Sequence, residues 1–181
     1  NDPTSIIIKH TNACGVASAK NINEAFQKSF ESDSKSAFGG IIILNRKVNL
    51  LLAKKIIRNF FEMVVAPDFE KEAIKSLSIK KNLILLKLPN IKNRISNYKS
   101  TLFGDLHQSS DLTKINKGFI NLVSKKRGSP KYIEDLVFSL KVVKHLKSNA
   151  VVLSRNKQTL GLGLGQTNRV DALKFAIKNK K

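Results

Sequence analysis

Short apolar runs alternate with segments of helical period along this chain, and this alternation limits the possible folds more than any other feature. In the first half, strand-sized runs occur at Ile6–Ile8, Ile41–Leu44 and Val64–Pro67, and between them apolar residues recur every three or four positions. Strands that alternate with helices of about 10 to 13 residues favour a layered α/β structure. We therefore predict an α/β fold with a largely parallel sheet.

The individual elements are predicted from capping residues and apolar spacing. Asn23 is predicted to cap the first helix, and a second helix is predicted over Leu50–Phe61. A third helix is predicted near Glu70–Leu77. The predicted elements of the second half are a strand at Phe119–Val123, a helix opened by Pro130, a strand at Asn149–Ser154, a strand or extended loop at Leu160–Gly165 and a helix at Thr167–Asn179.

Changes in composition divide the chain into three parts. Residues 1–88 are predicted to form one subdomain, residues 89–117 a polar connecting segment, and residues 118–181 the start of a second subdomain that is cut short. The first residues contain neither an initiator Met nor a signal peptide. We expect the chain to be part of a longer domain.

The net charge of +20 is the strongest compositional signal, and by itself it would suit a nucleic-acid-binding module. Lys supplies 27 of the 33 basic residues, and Lys, Ile and Asn together make up 62 of the 181 residues. Coding sequence rich in A and T produces this mixture, and the charge is spread along the chain. We therefore predict no specific nucleic-acid partner. The positive charge would also attract a phosphorylated or polyglutamylated small substrate.

Neither a membrane span nor a metal cluster is indicated by the sequence. No run of about 18 apolar residues occurs. The single cysteine, Cys14, can form neither an internal disulfide nor the usual cysteine-rich zinc site, and we interpret it as a small packed thiol. A reducing cytoplasm is the expected location. His107 and His145 lie in polar or Lys-rich surroundings, where solvent-exposed side chains are expected.

The pair Lys9-His10 follows the first predicted strand, and the carboxyl ends of strands line the ligand crevice in many α/β sheets. A lysine can stabilise a developing oxyanion, and an imidazole titrates near neutral pH and can transfer protons. The alternative is a basic surface dipeptide with no part in chemistry.

Three further segments are each open to two interpretations. The glycines of Leu160–Gly165, followed by Arg169, suggest either an anion-binding turn or a plain turn and helix cap. A dinucleotide-binding fingerprint is disfavoured because these glycines follow a hairpin-like segment. The glycines of Ala37–Gly40 indicate a tight entry to a strand or a ligand shelf. Glu62 is either an ordinary helix terminus or a carboxylate directed into the crevice.

Six segments occur in the order and at the spacing typical of one enzyme family. They are KHTNACGVA (Lys9–Ala17), SAFGGIIILNR (Ser36–Arg46), FFEMVVAPDFEKEA (Phe60–Ala73), KKNLILL (Lys80–Leu86), KSNAVVL (Lys147–Leu153) and LGLGLGQTNRVDA (Leu160–Ala172). DLHQSSDL (Asp105–Leu112) is a weaker match to the segment that opens the second lobe. On these segments the chain resembles the AICAR transformylase domain of the bifunctional purine biosynthesis enzymes.

The resemblance implies two cytidine-deaminase-like α/β/α subdomains, the second incomplete here, and a homodimer whose active sites lie between subunits. It also implies formyl transfer from 10-formyltetrahydrofolate to the 5-amino group of AICAR, with an IMP cyclohydrolase domain elsewhere in the protein. No metal is implied, because His10-Thr11-Asn12 lacks the Glu, and the chain lacks the cysteine pair, of the zinc deaminases.

The resemblance assigns roles to seven residues by motif. Lys9 and His10 match the catalytic pair, and Asn149 matches a polar contact that positions the reacting groups. The residues that match positions lining the nucleotide or folate site are Phe38, Gly39, Glu62 and Arg169.

The chain departs from the family pattern in two respects. Ala13 stands where Pro is usual, which removes a fixed φ behind His10. Nothing in the chain resembles the C-terminal SDAFFPF and PGGS-type segments of the family. A catalytically inactive remnant therefore stays an alternative.

Overall fold

A seven-stranded mixed sheet organises the chain. The computed structural model describes residues 2–89, 96–116, 118, 120–123, 125, 128–178 and 180. The strands are β1 (Thr4–Lys9), β2 (Asn12–Ser18), β3 (Gly40–Leu44), β4 (Phe61–Ala66), β5 (Ile84–Lys87), β6 (Ser96–Thr101), β7 (Gly104–Ser109), β8 (Val151–Arg155) and β9 (Gln158–Gly163). The five helices of the described ranges are α1 (Ile22–Ser32), α2 (Leu50–Ile56), α3 (Lys71–Leu77), α4 (Pro130–Val143) and α5 (Arg169–Lys178).

The strand order in the sheet is β5-β4-β3-β1-β2-β9-β8. Only the pairings of β3 with β4 and of β4 with β5 are parallel, and the other four are antiparallel. The predicted α/β class is confirmed, but the prediction of a largely parallel sheet is wrong. The reason is local, because β1–β2 and β8–β9 are joined by two-residue turns, which only antiparallel neighbours can use.

Helices cover both faces of the sheet, and the clearest evidence is β2, whose successive residues point to opposite faces. Gly15 lies so close to α1 that a β-carbon would collide with the carbonyl oxygen of Ser29. The next residue, Val16, packs with Phe138 and Val142 of α4. Helices α1 and α4 therefore lie on opposite faces of the sheet.

The main hydrophobic core lies on the α1 face. Its members are buried apolar side chains of the central strands and of three helices. They include Ile7, Ile42 and Val64 from β1, β3 and β4, and Phe26, Leu52 and Leu77 from α1, α2 and α3. Burial of such side chains stabilises a fold by about 1.5–3 kcal/mol each, so this cluster fixes the register of β1, β3 and β4.

Helix α5 packs directly on β9. A β-carbon at Gly161 or Gly163 would collide with the carbonyl oxygens of Ala176 and Ala172, respectively. These glycines therefore serve the close approach of the chain's own helix, which favours the structural interpretation of this glycine-rich segment over an anion-binding turn.

Several predicted boundaries are wrong. Asn21, not Asn23, caps α1, since Asn21 Oδ1 accepts the backbone N–H of Glu24 at 2.9 Å. Helix α2 ends at Ile56 because β4 already begins at Phe61. In the predicted strand Phe119–Val123, Phe119 lies outside the described residues and residues 120–123 form no strand.

The helix opened by Pro130 is confirmed, as is the last helix, although α5 begins at Arg169 rather than at Thr167. Asn179, the predicted end of the last helix, lies outside the described residues. Strands from both predicted subdomains join the same sheet, where Ala17 of β2 pairs with Gln158 of β9. The division at residues 88 and 117 stays a prediction.

The segment predicted as a connection contains the β6–β7 hairpin, in which Ser96 pairs with Ser109 and Thr101 with Gly104. Its tip residues Leu102 and Phe103 are 97% and 99% exposed. A polar, weakly periodic sequence gave no signal for this hairpin.

Candidate functional site

The assigned residues of the first half lie together at one edge of the sheet. Strand β1 runs antiparallel to β3, with Ile8 opposite Ile41, so the end of β1 lies beside the start of β3. Strand β4 runs parallel to β3, with Phe61 opposite Gly40. Lys9, His10, Phe38, Gly39 and Glu62 therefore share this edge, which is the carboxyl end of β1 and the amino end of β3 and β4.

The same edge continues across the other half of the sheet. Strand β9 is antiparallel to β2, so its end lies toward the turn before β2. Val151 at the start of β8 pairs with Gly163 at the end of β9. Asn149 and Arg169, which flank these two strand ends, lie at the same edge as His10. We call this border of the sheet the candidate edge.

The assigned residues are nevertheless spread along the candidate edge. In the sheet, β1 and β8 are separated by three interstrand spacings, and β4 and β8 are separated by five. At about 4.8 Å per spacing, this places Asn149 roughly 14 Å from Lys9 and roughly 24 Å from Glu62. The structure thus aligns the assigned residues of the first half with Asn149 and Arg169 on one edge, without bringing the two sets into contact.

A two-residue turn carries His10 at the candidate edge. His10 and Thr11 have φ of 51° and 64°, in the left-handed region that non-glycine residues rarely occupy. Both side chains are exposed. The predicted loop after the first strand is therefore a tight hairpin, and it presents the imidazole to solvent.

A β-bulge lies directly behind this turn. Ile7 pairs with Gly15 and Ile8 with Ala13, so Cys14 has no partner on β1. Bulges increase the local twist of a hairpin and often re-aim side chains beside functional sites. Burial, and to a smaller extent the charge of Asp33, raises the pKa of the Cys14 thiol. The packed-thiol interpretation of Cys14 agrees with this environment.

Lys9 links the hairpin to the loop before β3. Its Nζ donates a hydrogen bond to the carbonyl oxygen of Phe38 at 2.8 Å. Gly39 has φ of 71°, and its N–H donates to the carbonyl oxygen of Phe60 at 2.9 Å. The rings of Phe38 and Phe60 lie 5.1 Å apart, and both are substantially exposed. Lysine, glycine and two aromatic rings thus form a continuous shelf.

Glu62 does not end a helix, so that interpretation is wrong. It is the second residue of β4, and its side chain is exposed. A carboxylate at the candidate edge, two strands away from Lys9, is consistent with the second interpretation.

Asn149 is held by the loop that follows β9. Its N–H and its side-chain Nδ2 both donate to the carbonyl oxygen of Gln166, at 3.0 Å and 3.1 Å. Nδ2 also lies 3.2 Å from the carbonyl oxygen of Thr167. Arg169 begins α5, and its side chain is exposed. The amide of Asn149 is therefore fixed, whereas the guanidinium of Arg169 is exposed to solvent.

A cavity of about 220 Å³ lies beside the aromatic shelf. Phe60 lines it together with Ile79, Lys80, Lys81 and Asn59. No sequence pattern assigned a role to Phe60 or to these lysines. Their signal was present, because they precede β4 and β5 and therefore share the candidate edge.

The remaining candidate groups lie apart from this edge or form no cluster. His107 and His145 are exposed, as expected, and His107 stacks on Tyr98 with ring centres 4.6 Å apart. Within the ranges that the structure describes, no group of three or more His, Cys, Asp or Glu side chains is placed to hold a metal ion. Among the described helices, none is both long and apolar enough to cross a bilayer.

Comparison with known proteins decides the family. The model of the AICARFT/IMPCHase bienzyme family matches residues 1–179 of the chain. The chain belongs to this family. The resemblance seen in the six sequence segments is thereby confirmed.

Individual relatives give the same result. The bifunctional purine biosynthesis protein PurH of Caldicellulosiruptor saccharolyticus is 46% identical over 182 residues, which cover 99% of this chain and 35% of the relative. The protein of the same name from Buchnera aphidicola subsp. Baizongia pistaciae is 47% identical over 182 residues, covering 98% of this chain and 34% of the relative. This chain spans about a third of the length of these relatives.

Proposed function

We propose that this chain supplies part of a site that transfers a formyl group from 10-formyltetrahydrofolate to the 5-amino group of AICAR, in purine biosynthesis. The observation that carries the proposal is the placement of all seven assigned residues on one edge of one sheet. Membership of the AICARFT/IMPCHase family and the PurH relatives support it. In a reducing cytoplasm, both substrates would reach this edge from solvent.

The chemistry requires a nucleophile, a proton acceptor and stabilisation of a developing charge. The 5-amino nitrogen of AICAR attacks the formyl carbon, and His10 accepts the proton that this nitrogen loses. The Lys9 ammonium stabilises the oxyanion of the tetrahedral intermediate. The bond from the formyl carbon to N10 then breaks, the protonated His10 returns its proton to N10 directly or through solvent, and formyl-AICAR and tetrahydrofolate leave.

The other assigned residues bind and orient. Asn149, fixed through Gln166 and Thr167, positions the reacting groups. The shelf formed by Phe38 and Gly39 offers an apolar surface for a flat ring, and Glu62 and Arg169 supply polar contacts on either side of His10 along the candidate edge. The seven residues span several strands, which suits two substrates held side by side.

The wider assembly is proposed from the same resemblance. We infer two cytidine-deaminase-like subdomains, a homodimer with sites between subunits, and an IMP cyclohydrolase domain in the complete protein. The low coverage of the relatives agrees with a site completed by segments outside this chain.

The test is formyl transfer by the protein expressed from its complete gene, with AICAR and 10-formyltetrahydrofolate as substrates. We expect turnover in the wild type and a loss of kcat of about 100-fold or more in His10→Gln, because general base catalysis contributes about 10²–10⁴-fold. His107→Gln, on the exposed β6–β7 hairpin, is the matched control and should keep wild-type kcat. A wild type that binds AICAR without transfer would instead identify an inactive remnant.

A further inference from the structure

The turn that presents His10 contains one residue, Thr11, that does not favour its conformation. Two-residue hairpin turns with positive φ at both positions usually contain Asn, Asp or Gly. Here the two positions are His10 and Thr11, and a β-branched residue at positive φ is an outlier. Something outside the two turn residues must therefore hold this backbone in place.

Asn12 supplies a side-chain contact to the turn. It pairs with Lys9 directly after the turn, and its Nδ2 donates a hydrogen bond to the carbonyl oxygen of His10 at 3.1 Å. This bond fixes the peptide plane that follows the His10 Cα. Within the described residues, the His10 imidazole itself has no hydrogen-bond partner, so its direction depends on the backbone that carries it.

The other end of the Asn12 amide is unusual. Its Oδ1 is buried, and no donor among the described residues reaches it. A buried amide oxygen without a partner destabilises a folded protein. Asn23 Oδ1 on α1 shares this property, so the unpaired oxygen by itself assigns no role, and the bond from Asn12 Nδ2 to the His10 carbonyl carries the inference.

We propose that Asn12 is a positioning residue that sets the direction of the His10 imidazole through the His10 carbonyl. The inference rests on the proposed function, in which His10 accepts the proton of the attacking amine. Asn12 does not touch the substrate in this scheme. It limits the orientations of a turn that Thr11 leaves strained.

The test removes the donor of Asn12 in two ways, one with the shape kept and one without added charge. Asn12→Asp replaces the N–H donor with an acceptor, and Asn12→Ala removes it without adding charge, both in the protein expressed from its complete gene. We expect kcat to fall about tenfold in each, the effect of roughly one hydrogen bond, with the KM of both substrates within about twofold. Asn97→Asp, on the exposed β6–β7 hairpin, makes the same chemical change elsewhere and should keep wild-type kcat.

A spectroscopic measurement separates this inference from the proposed function. In protein labelled with ¹⁵N-histidine, the imidazole signals of His10 are assigned with His10→Gln. We expect one narrow set in the wild type and broadened or multiple signals in the two Asn12 variants. If the wild type transfers no formyl group, the proposed function fails, yet these signals still report whether Asn12 orders His10.

Two results would overturn the role of Asn12. One is unchanged His10 signals together with wild-type kcat in both variants. The other is a loss of activity that raises KM and leaves kcat intact. Should both variants fail to fold, Asn12→Ser keeps a hydroxyl donor on a shorter side chain. We expect that variant to fold, with a kcat below that of the wild type by less than tenfold. A full wild-type kcat together with broadened His10 signals would again contradict the proposal.

Discussion

Two hairpin turns at opposite edges of the sheet both hold their two residues at positive φ, and they differ in what supports them. The β1–β2 turn, at the candidate edge, has φ of 51° at His10 and 64° at Thr11. The β8–β9 turn, at the other edge, has φ of 52° at Asn156 and 54° at Lys157. Both connections require a tight turn whose twist matches that of the flanking strands.

The β8–β9 turn is supported by a buried carboxylate. Asp135 of α4 is only 8% exposed, and its two oxygens accept the backbone N–H groups of Asn156 and Lys157 at 3.0 Å and 2.7 Å. Asn156 also tolerates the left-handed region better than most residues do. Lys157 has no such preference, so the Asp135 carboxylate holds its backbone in place, and these contacts serve the fold.

The β1–β2 turn has no carboxylate to hold it. Thr11 is β-branched and disfavours the left-handed region, and the side-chain bond to the turn comes from Asn12. Strained backbone persists in native proteins mainly where function requires it. The strain at Thr11 is therefore a reason, independent of the family, to propose a function at the candidate edge.

The largest expected effect comes from removing the support of the β8–β9 turn. Asp135→Ala leaves the N–H groups of Asn156 and Lys157, which bond in a part-buried position, without their charged acceptor, and we expect a loss of about 3 kcal/mol in the stability of this region. Hydrogen exchange in peptides covering residues 150–163 should accelerate sharply, while kcat changes by less than about twofold, because the turn is far from the candidate edge. Unchanged exchange there would show that the carboxylate does not hold the turn.

A matched pair of glycine substitutions sharpens the comparison. Thr11→Gly relieves a β-branched residue at positive φ, and we expect a gain of about 1 kcal/mol, seen as a higher melting temperature. Asn156→Gly should change stability by less than about 0.5 kcal/mol, because Asn already tolerates this conformation.

The same pair should differ in activity. Thr11→Gly gives the His10 turn more freedom, so kcat should fall several-fold although the protein becomes more stable. Asn156→Gly should leave kcat unchanged. If Thr11→Gly raised stability and kept full activity, the strain at this turn would have no part in orienting His10.

Sequence patterns predicted the parts of this fold that depend on local periodicity. Pro130 opened a helix where expected, and the apolar runs at Ile41–Leu44 and Val64–Ala66 became buried strands. Boundaries failed where two signals competed. Asn21 and Asn23 can both cap a helix, and only the position of α1 on the sheet decides for Asn21.

The arrangement of the candidate edge could be predicted only in part. The position of Lys9-His10 after a strand was evident, but the family resemblance was needed to connect it with Asn149 and Arg169. Their common edge depends on the β2–β9 pairing, in which Val16 and Thr159 are bonded across 143 positions of sequence. The bulge at Cys14 and the contact of Asn12 with His10 depend on register, which no periodicity encodes.

The smallest expected effect concerns Ala13, where the family pattern has proline. Lys9 and Asn12 close a two-residue turn, so they form a hydrogen-bonded pair, and the next pair, Ile8 with Ala13, is expected to be non-hydrogen-bonded. The Ala13 N–H then points away from β1, and Ala13→Pro should remove no bond of this hairpin. A fixed φ would lower the entropy of the unfolded chain, so we expect a gain of about 0.4–1 kcal/mol and an equal or slightly higher kcat. A clear loss of stability in thermal melting would show instead that the Ala13 N–H is bonded or that its φ is incompatible with proline, and that this hairpin has been rebuilt around the smaller residue.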